Sequence, residues 1–556
     1  MYLRTTRRRR TDGSEVRYLQ LAHNEWDADS GQSRAKVIYN FGREDQLDRD
    51  AIARLVGSLS RVLQPGEALQ AAGCTELEFV ASRPLGGAWT LDRLWRRLGI
   101  DTTLHGLAGE RRFGADFERV LFALVANRAL APSSKLAATG WIGHRVVIDG
   151  LDSVDADTCY RAMDWLVEIA PALAEAVYWS TADLLNLEVD LLFFDTTSTY
   201  FQALPDDDTD LEAFRVRGRS KDHRPDLPQV VVGMAVTRDG IPIRVWSWPG
   251  NTSDATVIDQ VKDDLRPWKL ARVVWVADTG FSSAQNRRYL QRAGGHYIMG
   301  EKLRSGSPEA QAAITRQGRY TKIRDNLEVR EVIFDNGTMR DRFVVCHNPQ
   351  EAERDRAVRD HIVAHLQDRI AGSDAHTADQ RKHLAGQINA TRGLKRFLRT
   401  TTNGLLRIDQ AAIAAEAKLD GKYLIRTSDP SLSTEDIALG YRQLLEVERG
   451  WRDMKQILDL RPIYHRHPDR IRAHIILCWL ALLLIRIAET RTGDTWTNLR
   501  HQLDQMHLGT FTGPAGTITR RTATTTRQHE IWRSLELPEP PQVSTITARP
   551  ADNPAP

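Results

Sequence analysis

VDLLFFDTTSTYF, residues Val189–Phe201, is an unbroken apolar run that ends in an acid, Asp195, and a cluster of hydroxyls. A short run of this kind, followed by the polar stretch PDDDTD (Pro205–Asp210), reads as a strand buried on both faces of a sheet. Two further strands follow. QVVVGMAV (Gln229–Val236) and IRVWSWPGNTSD (Ile243–Asp254) flank a tight turn at RDGIP. A helix is predicted over about Thr256–Leu265, and RVVWVADTGF (Arg272–Phe281) repeats the opening pattern, a buried-type strand ending in an acid, Asp278. The order β–β–β–α–β predicts an α/β unit in which two strands each deliver one carboxylate.

A third acid stands out in YRQLLEVERGWRDMK (Tyr441–Lys455), which reads as one amphipathic helix with an apolar stripe through Tyr441, Leu444, Leu445 and Trp451. Glu448 falls inside that stripe. Seven residues fall only about 20° short of two helical turns, so Tyr441, Glu448 and Lys455 share a face. Burying one ionised carboxylate is costly, and a salt bridge or cap is its commonest explanation. Three acids, two on strands and one on a helix, point instead to divalent metal. A pair of Mg²⁺ ions about 3.5–4 Å apart is the known device for in-line attack on phosphodiesters, and Mn²⁺ is expected to substitute. Arg449 and Arg452 flank Glu448, Arg442 precedes them, and Arg461, Arg466, Arg470 and Arg472 follow, a cationic setting that suits a DNA backbone. Pairing within the helix is the plainer alternative. Trp451 is read either as core or as a base-stacking residue.

Other chemistries find less support. His361 and His365 are four apart, but HIVAH lacks the glutamate of a zinc-protease helix. His465 and His467 read as phosphate-facing or solvated, and there is no Walker loop and no GxGxxG. Cys74, Cys159, Cys346 and Cys478 are scattered without a CxxC, which argues against a disulfide framework or a structural zinc site and points to a reducing compartment. No signal peptide is visible, and the longest apolar run, Ile475–Ile485, falls short of the ~20 residues of a membrane span. It reads as a buried helix.

The length, 556 residues, predicts two to four units. Residues 1–45 read as a β-hairpin with a basic arm at Arg7–Arg10, and residues 46–185 as a helical region. Residues 186–299 and 421–495 carry the acids. Residues 300–420 read as β-rich sequence around Asn336-Gly337 followed by highly charged helix. Residues 496–556 form a C-terminal segment whose Pro-rich end has no periodicity and is expected to be disordered. The net charge of +3 says little, but the arginines of the first twenty residues and of 441–491 form local basic patches that predict a polyanionic partner.

Taken together, these motifs resemble the DDE transposases of bacterial insertion sequences, in the insertion-sequence-four superfamily. That group carries a Tyr-x2-Arg-x3-Glu-x6-Lys signature around its third acid. Tyr441, Glu448 and Lys455 stand at the signature positions, whereas Leu444 stands where arginine is expected, with Arg442 or Arg449 as possible substitutes. DTTSTYF resembles the first-acid motif and VADTGFSSAQN the second. ANRALAPSSKLA (Ala126–Ala137) and LRPIYHRHPDRIRAHIILCWLAL resemble the sixteen-thirty-four subgroup. The resemblance implies a ribonuclease-H-like core interrupted by a β-rich insertion, which the 170-position spacing from Asp278 to Glu448 accommodates. It further implies cut-and-paste chemistry on terminal inverted repeats, catalysed by Asp195, Asp278 and Glu448 with two Mg²⁺ ions. Tyr441 and Lys455 would lie on the phosphate backbone. The hairpin and helical region would bind the element's ends, in a homodimer in the bacterial cytoplasm, associated with the nucleoid and not with a membrane. A metal-dependent nuclease on the same core, or a DNA-binding regulator without catalysis, are the competing readings.

Overall fold

The computed structural model describes residues 1–10, 15–27, 31–60, 62, 77–111, 116–185, 191–202, 214–270, 272–335, 340–391, 393–513 and 516–548. The Asn336-Gly337 turn, Cys74 and the last eight residues lie outside them. Backbone contacts divide the chain into two compact units, residues 1–81 with 509–520 and 543–556, and residues 82–508 with 521–542.

In the first unit β1 (Tyr2–Arg9), β2 (Glu15–Asp27) and β3 (Gln32–Arg43) form an antiparallel sheet in the order β1-β2-β3. The basic arm is therefore a third strand and not a lead-in. Arg7 pairs with Arg17 and Arg9 with Glu15, so its backbone groups are satisfied along the outer edge of β2. Helix α1 (Arg49–Ser60) follows. β4 (Glu78–Pro84) then interrupts what reads in sequence as continuous helix. It joins β16 (His507–Gly513), β17 (Gly516–Arg521) and β18 (Val543–Ala548) in a sheet of order β18-β17-β16-β4. The Pro-rich terminus thus contains a strand: the β-branched run Val543–Ala548 pairs antiparallel with β17.

The second unit opens with helices α2 (Gly86–Arg97), α3 (Ile100–Ala108), α4 (Phe117–Leu130), α5 (Lys135–His144) and α6 (Ala156–Leu185). Its centre is a nine-stranded sheet. β5 (Leu191–Tyr200), β6 (Gln229–Val236) and β7 (Pro242–Pro249) are antiparallel neighbours, and β8 (Val274–Ala277) and β9 (His296–Glu301) run parallel to β5 on its other side. Helices α7 (Ile258–Leu265) and α8 (Ala284–Gln291) make the crossovers. The sheet then continues. β10 (Thr321–Arg324), β11 (Leu327–Asp335) and β12 (Arg340–His347) reach β9 through β15 (Lys422–Thr427), giving the order β10-β11-β12-β15-β9-β8-β5-β6-β7. The β-rich stretch after residue 300 therefore extends the central ladder; it is not a sheet of its own. Between β9 and β10 lies helix α9 (Pro308–Thr315). Between β12 and β15 lie helices α10 (Pro349–Ile370), α11 (Ala378–Ala390) and α12 (Gln410–Ala417), with a short ribbon of β13 (Leu398–Thr400) and β14 (Leu406–Ile408).

The Tyr441–Lys455 stretch is two helices, α13 (Thr434–Arg442) and α14 (Leu445–Gln456). Between them the hydrogen bonds shorten to i→i−3, as Leu444 N–H donates to Tyr441 O and Glu446 N–H to Gln443 O. α13 packs on β9, β11 and β12, and α14 on β5, β6 and helix α15 (Pro468–Thr492). α15 is long and apolar enough to span a membrane by length and composition, but 89% of its most apolar window is buried within the protein. It packs on α4, α6 and β7 as a core helix. Helices α16 (Trp496–Leu503) and α17 (Thr526–Ser534) complete the unit. Cys159, Cys346 and Cys478 are buried and unpaired.

Candidate active site

Asp195, Asp278 and Glu448 line one cavity of about 340 Å³, together with Asn326, Leu327, Asn348, Tyr423, Tyr441, Arg442, Leu444 and Leu445. Each arrives from a different element. Asp195 projects from the middle of β5, opposite Met234 of β6. Asp278 is the first residue beyond β8, which is parallel to β5, so both acids emerge at the same end of the sheet. Glu448 comes from the first turn of α14, where the helix N-terminus favours negative charge.

Burial distinguishes the three. Asp195 is half-buried, whereas Asp278 and Glu448 are exposed. The expectation that Glu448 lies inside a buried stripe is therefore corrected. α14 buries Val447, Gly450, Trp451 and Met454, and the break at Gln443–Leu444 turns Glu448 to the rim. Trp451, only 5% exposed, is core and not a platform for a base. Gly450 lets α14 settle on β6, because a Cβ there would lie 2.6 Å from the Met234 side chain.

Burial pushes the Asp195 carboxyl up to about 6; Lys221, 3.8 Å away, opposes that shift, and Asp254 and Asp278 add to it. Lys221 is itself engaged, donating to Thr196 O and Oγ1 and lying 3.2 Å from Asp254. Asp254 accepts from Thr196 Oγ1. The site thus holds more carboxylate than cation, all hard oxygen donors, which is what a divalent ion requires. Among the described residues, the one group of three acids or histidines with ligand atoms all within 4.8 Å of one another is elsewhere, at His105, Asp116 and Glu118. The three site acids share a cavity without being drawn that close.

Tyr441 donates its hydroxyl to Asp278 Oδ1 at 3.2 Å and stacks on Tyr423 with ring centroids 5.9 Å apart. Burial, with the neighbouring Asp278, holds that hydroxyl protonated well above its ordinary range. Gly300 on β9 makes this possible. A Cβ there would come within 2.2 Å of the Tyr441 hydroxyl.

The other predicted residues separate. Arg442 lines the cavity and donates to Asn326 Oδ1 at 3.4 Å. Leu444, at the signature arginine position, also lines it. Lys455 does not: its Nζ reaches Thr197 Oγ1 at 2.7 Å and Asp222 Oδ1 at 2.8 Å. Arg461 meets the same Asp222 oxygen at 2.7 Å. Arg449 pairs with Glu489 at 3.3 Å, and Arg470 pairs with Asp164 at 3.3 Å and covers the Tyr160 ring. Arg452 and Arg466 are exposed. The basic cluster is therefore partly an internal ion-pair network and not a uniform cationic face. His361 and His365 are exposed on α10. His465 is half-buried against Tyr160, and burial beside Lys135 pushes it down to about 3, so it is neutral and not solvated. Exposed His467 matches the solvated reading. Lys221, Asp222 and Asp254 escape sequence reading. Their one signal is that RSKDHRPD and GNTSDA combine charges and turn formers next to the buried strands.

Residues 207–484 match the family described as Transposase DDE domain, and residues 3–70 match the IS1634 family transposase, N-terminal domain. Asp278 and Glu448 fall within the first span, and Asp195 lies just before it. A cryo-EM structure of the piggyBac transposase synaptic complex with hairpin DNA is similar at 10% identity and a TM-score of 0.35, over 75% of this chain and 78% of that one. No curated protein matches the chain. On the match over residues 207–484, half of the chain, the chain belongs to the DDE transposases, and its N-terminal strands match the N-terminal domain of the IS1634 family: it is a DNA-cleaving and strand-transferring enzyme that depends on divalent metal.

Proposed function

We propose that this transposase excises and inserts its own element by a cut-and-paste route, binding the terminal inverted repeats, with Asp195, Asp278 and Glu448 as its metal-holding acids. The observation that carries the assignment is that three acids far apart in sequence, from β5, the end of β8 and α14, line one cavity. The strand order β7-β6-β5-β8-β9, with the first three strands antiparallel and the last two parallel to β5, supports a ribonuclease-H-like core.

The excess of carboxylate over cation, and the upward shift of Asp195, fit a pair of Mg²⁺ ions. Bound there, they would lower the pKa of the attacking water or 3′-hydroxyl and neutralise charge at the leaving oxygen. The chain's own groups position this site. Tyr441 holds one Asp278 oxygen, leaving the other for metal. Asp222 clamps Lys455 and Arg461, and Lys455 in turn holds Thr197, two residues along β5 from Asp195. Lys455 acts by positioning β5, and Arg442, on the cavity wall, contacts the substrate phosphate and stands in for the arginine missing at Leu444. Arg452 and Arg466, with the N-terminal strands and helical region, bind the ends, in a homodimer that brings two ends together. Its location is the cytoplasm, at the nucleoid.

The test is purified protein with Mg²⁺ or Mn²⁺ and labelled end DNA. Strand-transfer products support transposition. Cleavage without joining would indicate a nuclease, and binding alone a regulator.

A further inference from the structure

A second cavity, of about 440 Å³, lies in the same unit and contains none of the three acids. Arg128 of α4, Ser133, Ser134, Lys135 at the start of α5, Tyr160 of α6, Arg461 and the histidines His465 and His474 line it. Lys135 is 3% exposed and makes no hydrogen bond or ion pair with any described residue. Arg128 is equally buried; its Nη atoms donate to backbone carbonyls and to Asn127, but its Nε has no partner. His474, 5% exposed, leaves Nδ1 unpartnered. The carboxylate of the lining, Asp459, is exposed and pairs with neither cation.

A buried ammonium with no counter-charge is costly, and a bound anion removes that cost. Burial, with Arg128 nearby, pulls Lys135 down to about 7, which is the same deficit seen as a titration. Lys135 at the start of α5, Arg128 Nε on α4 and the hydroxyl proton of Ser134, whose oxygen accepts from Ala137 N–H, converge as donors, while Ser133 is taken up by Asn127 and neutral His474 directs its N–H to Leu460 O. Several donors on one point suit a tetrahedral oxyanion more than a planar carboxylate.

We infer that this cavity is a phosphate-binding site, built by Lys135, Arg128 and Ser134, that takes a phosphate group of the DNA backbone. It rests on the chain acting on DNA, and not on the assignment of the acids. Arg461 borders the cavity and bonds Asp222, which also holds Lys455, so an ion-pair chain runs from this cavity to Lys455, which bonds Thr197 on β5, two residues from Asp195.

The test uses the full chain and Lys135→Met. Inorganic phosphate raises the melting temperature of the unsubstituted protein above that in chloride of equal ionic strength. Lys135→Met lowers phosphate affinity by about tenfold or more, as loss of a charge-assisted hydrogen bond implies. Without phosphate the variant melts no lower than the parent, because it no longer buries an unpaired charge. In the second arm, the slope of log affinity for end DNA against log salt falls by about 0.9 in the variant. That outcome identifies a backbone phosphate, whereas an unchanged slope alongside lost phosphate binding identifies free phosphate as the ligand and overturns the DNA assignment. Absence of phosphate stabilisation in the parent, or its full retention in Lys135→Met, overturns the site. Neither arm reads cleavage, so failure of the acid assignment leaves this result standing.

Discussion

Gly300→Ala tests how closely Tyr441 is fitted over Asp278. Gly300 is a strand residue without a left-handed φ, so alanine suits its backbone and the effect is purely one of space. The new methyl would lie 2.2 Å from the Tyr441 hydroxyl, 3.0 Å from its Cζ and 2.9 Å from Thr279 Cγ2. The hydroxyl must move, which breaks its 3.2 Å bond to Asp278. Overpacking of this kind costs about 1–3 kcal/mol, and the hydrogen bond about 1 kcal/mol more because Asp278 is exposed. Tyr441→Phe alone loses the bond but opens the space. With Tyr441→Phe in place, the nearest ring atom is at 3.0 Å. Gly300→Ala added to that variant should therefore cost at least about 1 kcal/mol less than in the parent. Denaturant midpoints of the four proteins form a double-mutant cycle, and divalent-metal cleavage of end DNA on the same set reports the site. Costs that add to within about 0.5 kcal/mol would refute the claim that Gly300 exists to seat the Tyr441 hydroxyl.

Asp222→Ala leaves Lys455 and Arg461 without their shared carboxylate, whose side chain is 7% exposed; calorimetry should show a loss of about 3 kcal/mol or more, with Asp222→Asn intermediate. Trp451→Ala should cost about 3–5 kcal/mol in stability while leaving end-DNA affinity per folded molecule unchanged; a selective loss of DNA binding would restore the base-stacking reading. His465 titrates near 3 in the fold and near 6.5 when unfolded, so the unfolded chain binds more protons between those values. Stability is therefore intact above pH 6.5 and falls as the pH drops toward 3, and in melting curves His465→Phe should lose less over that window than the parent.

The elements that hold the acids were legible because burial leaves a plain mark: runs such as LLFF and VWVA have few alternatives to a central strand, and an acid at their end is conspicuous. The helix of the third acid was harder. Tyr441–Lys455 has unbroken helical periodicity, and only packing against two different parts of the sheet, β9 to β12 for α13 and β5 and β6 for α14, forces the tight turn at Gln443–Leu444. That turn is why Glu448 is at the rim and why Lys455, in phase with it on paper, reaches Thr197 instead. The extension of the sheet by β10 to β12 depends on β15 pairing with both β12 and β9, a long-range match with no local signature. Likewise Asp222 meets Lys455 across 233 residues, and nothing in RSKDHRPD announces its partner.

The central claim is that one cavity gathers the three acids for chemistry and not for folding. Cleavage and binding of labelled end DNA by Glu448→Ala, in Mg²⁺, tests it most directly. Because Glu448 is exposed and forms no ion pair with a described residue, the account predicts unchanged stability, near-parental end binding and abolished cleavage. Cleavage at the parental rate, or loss of binding together with cleavage, would contradict it.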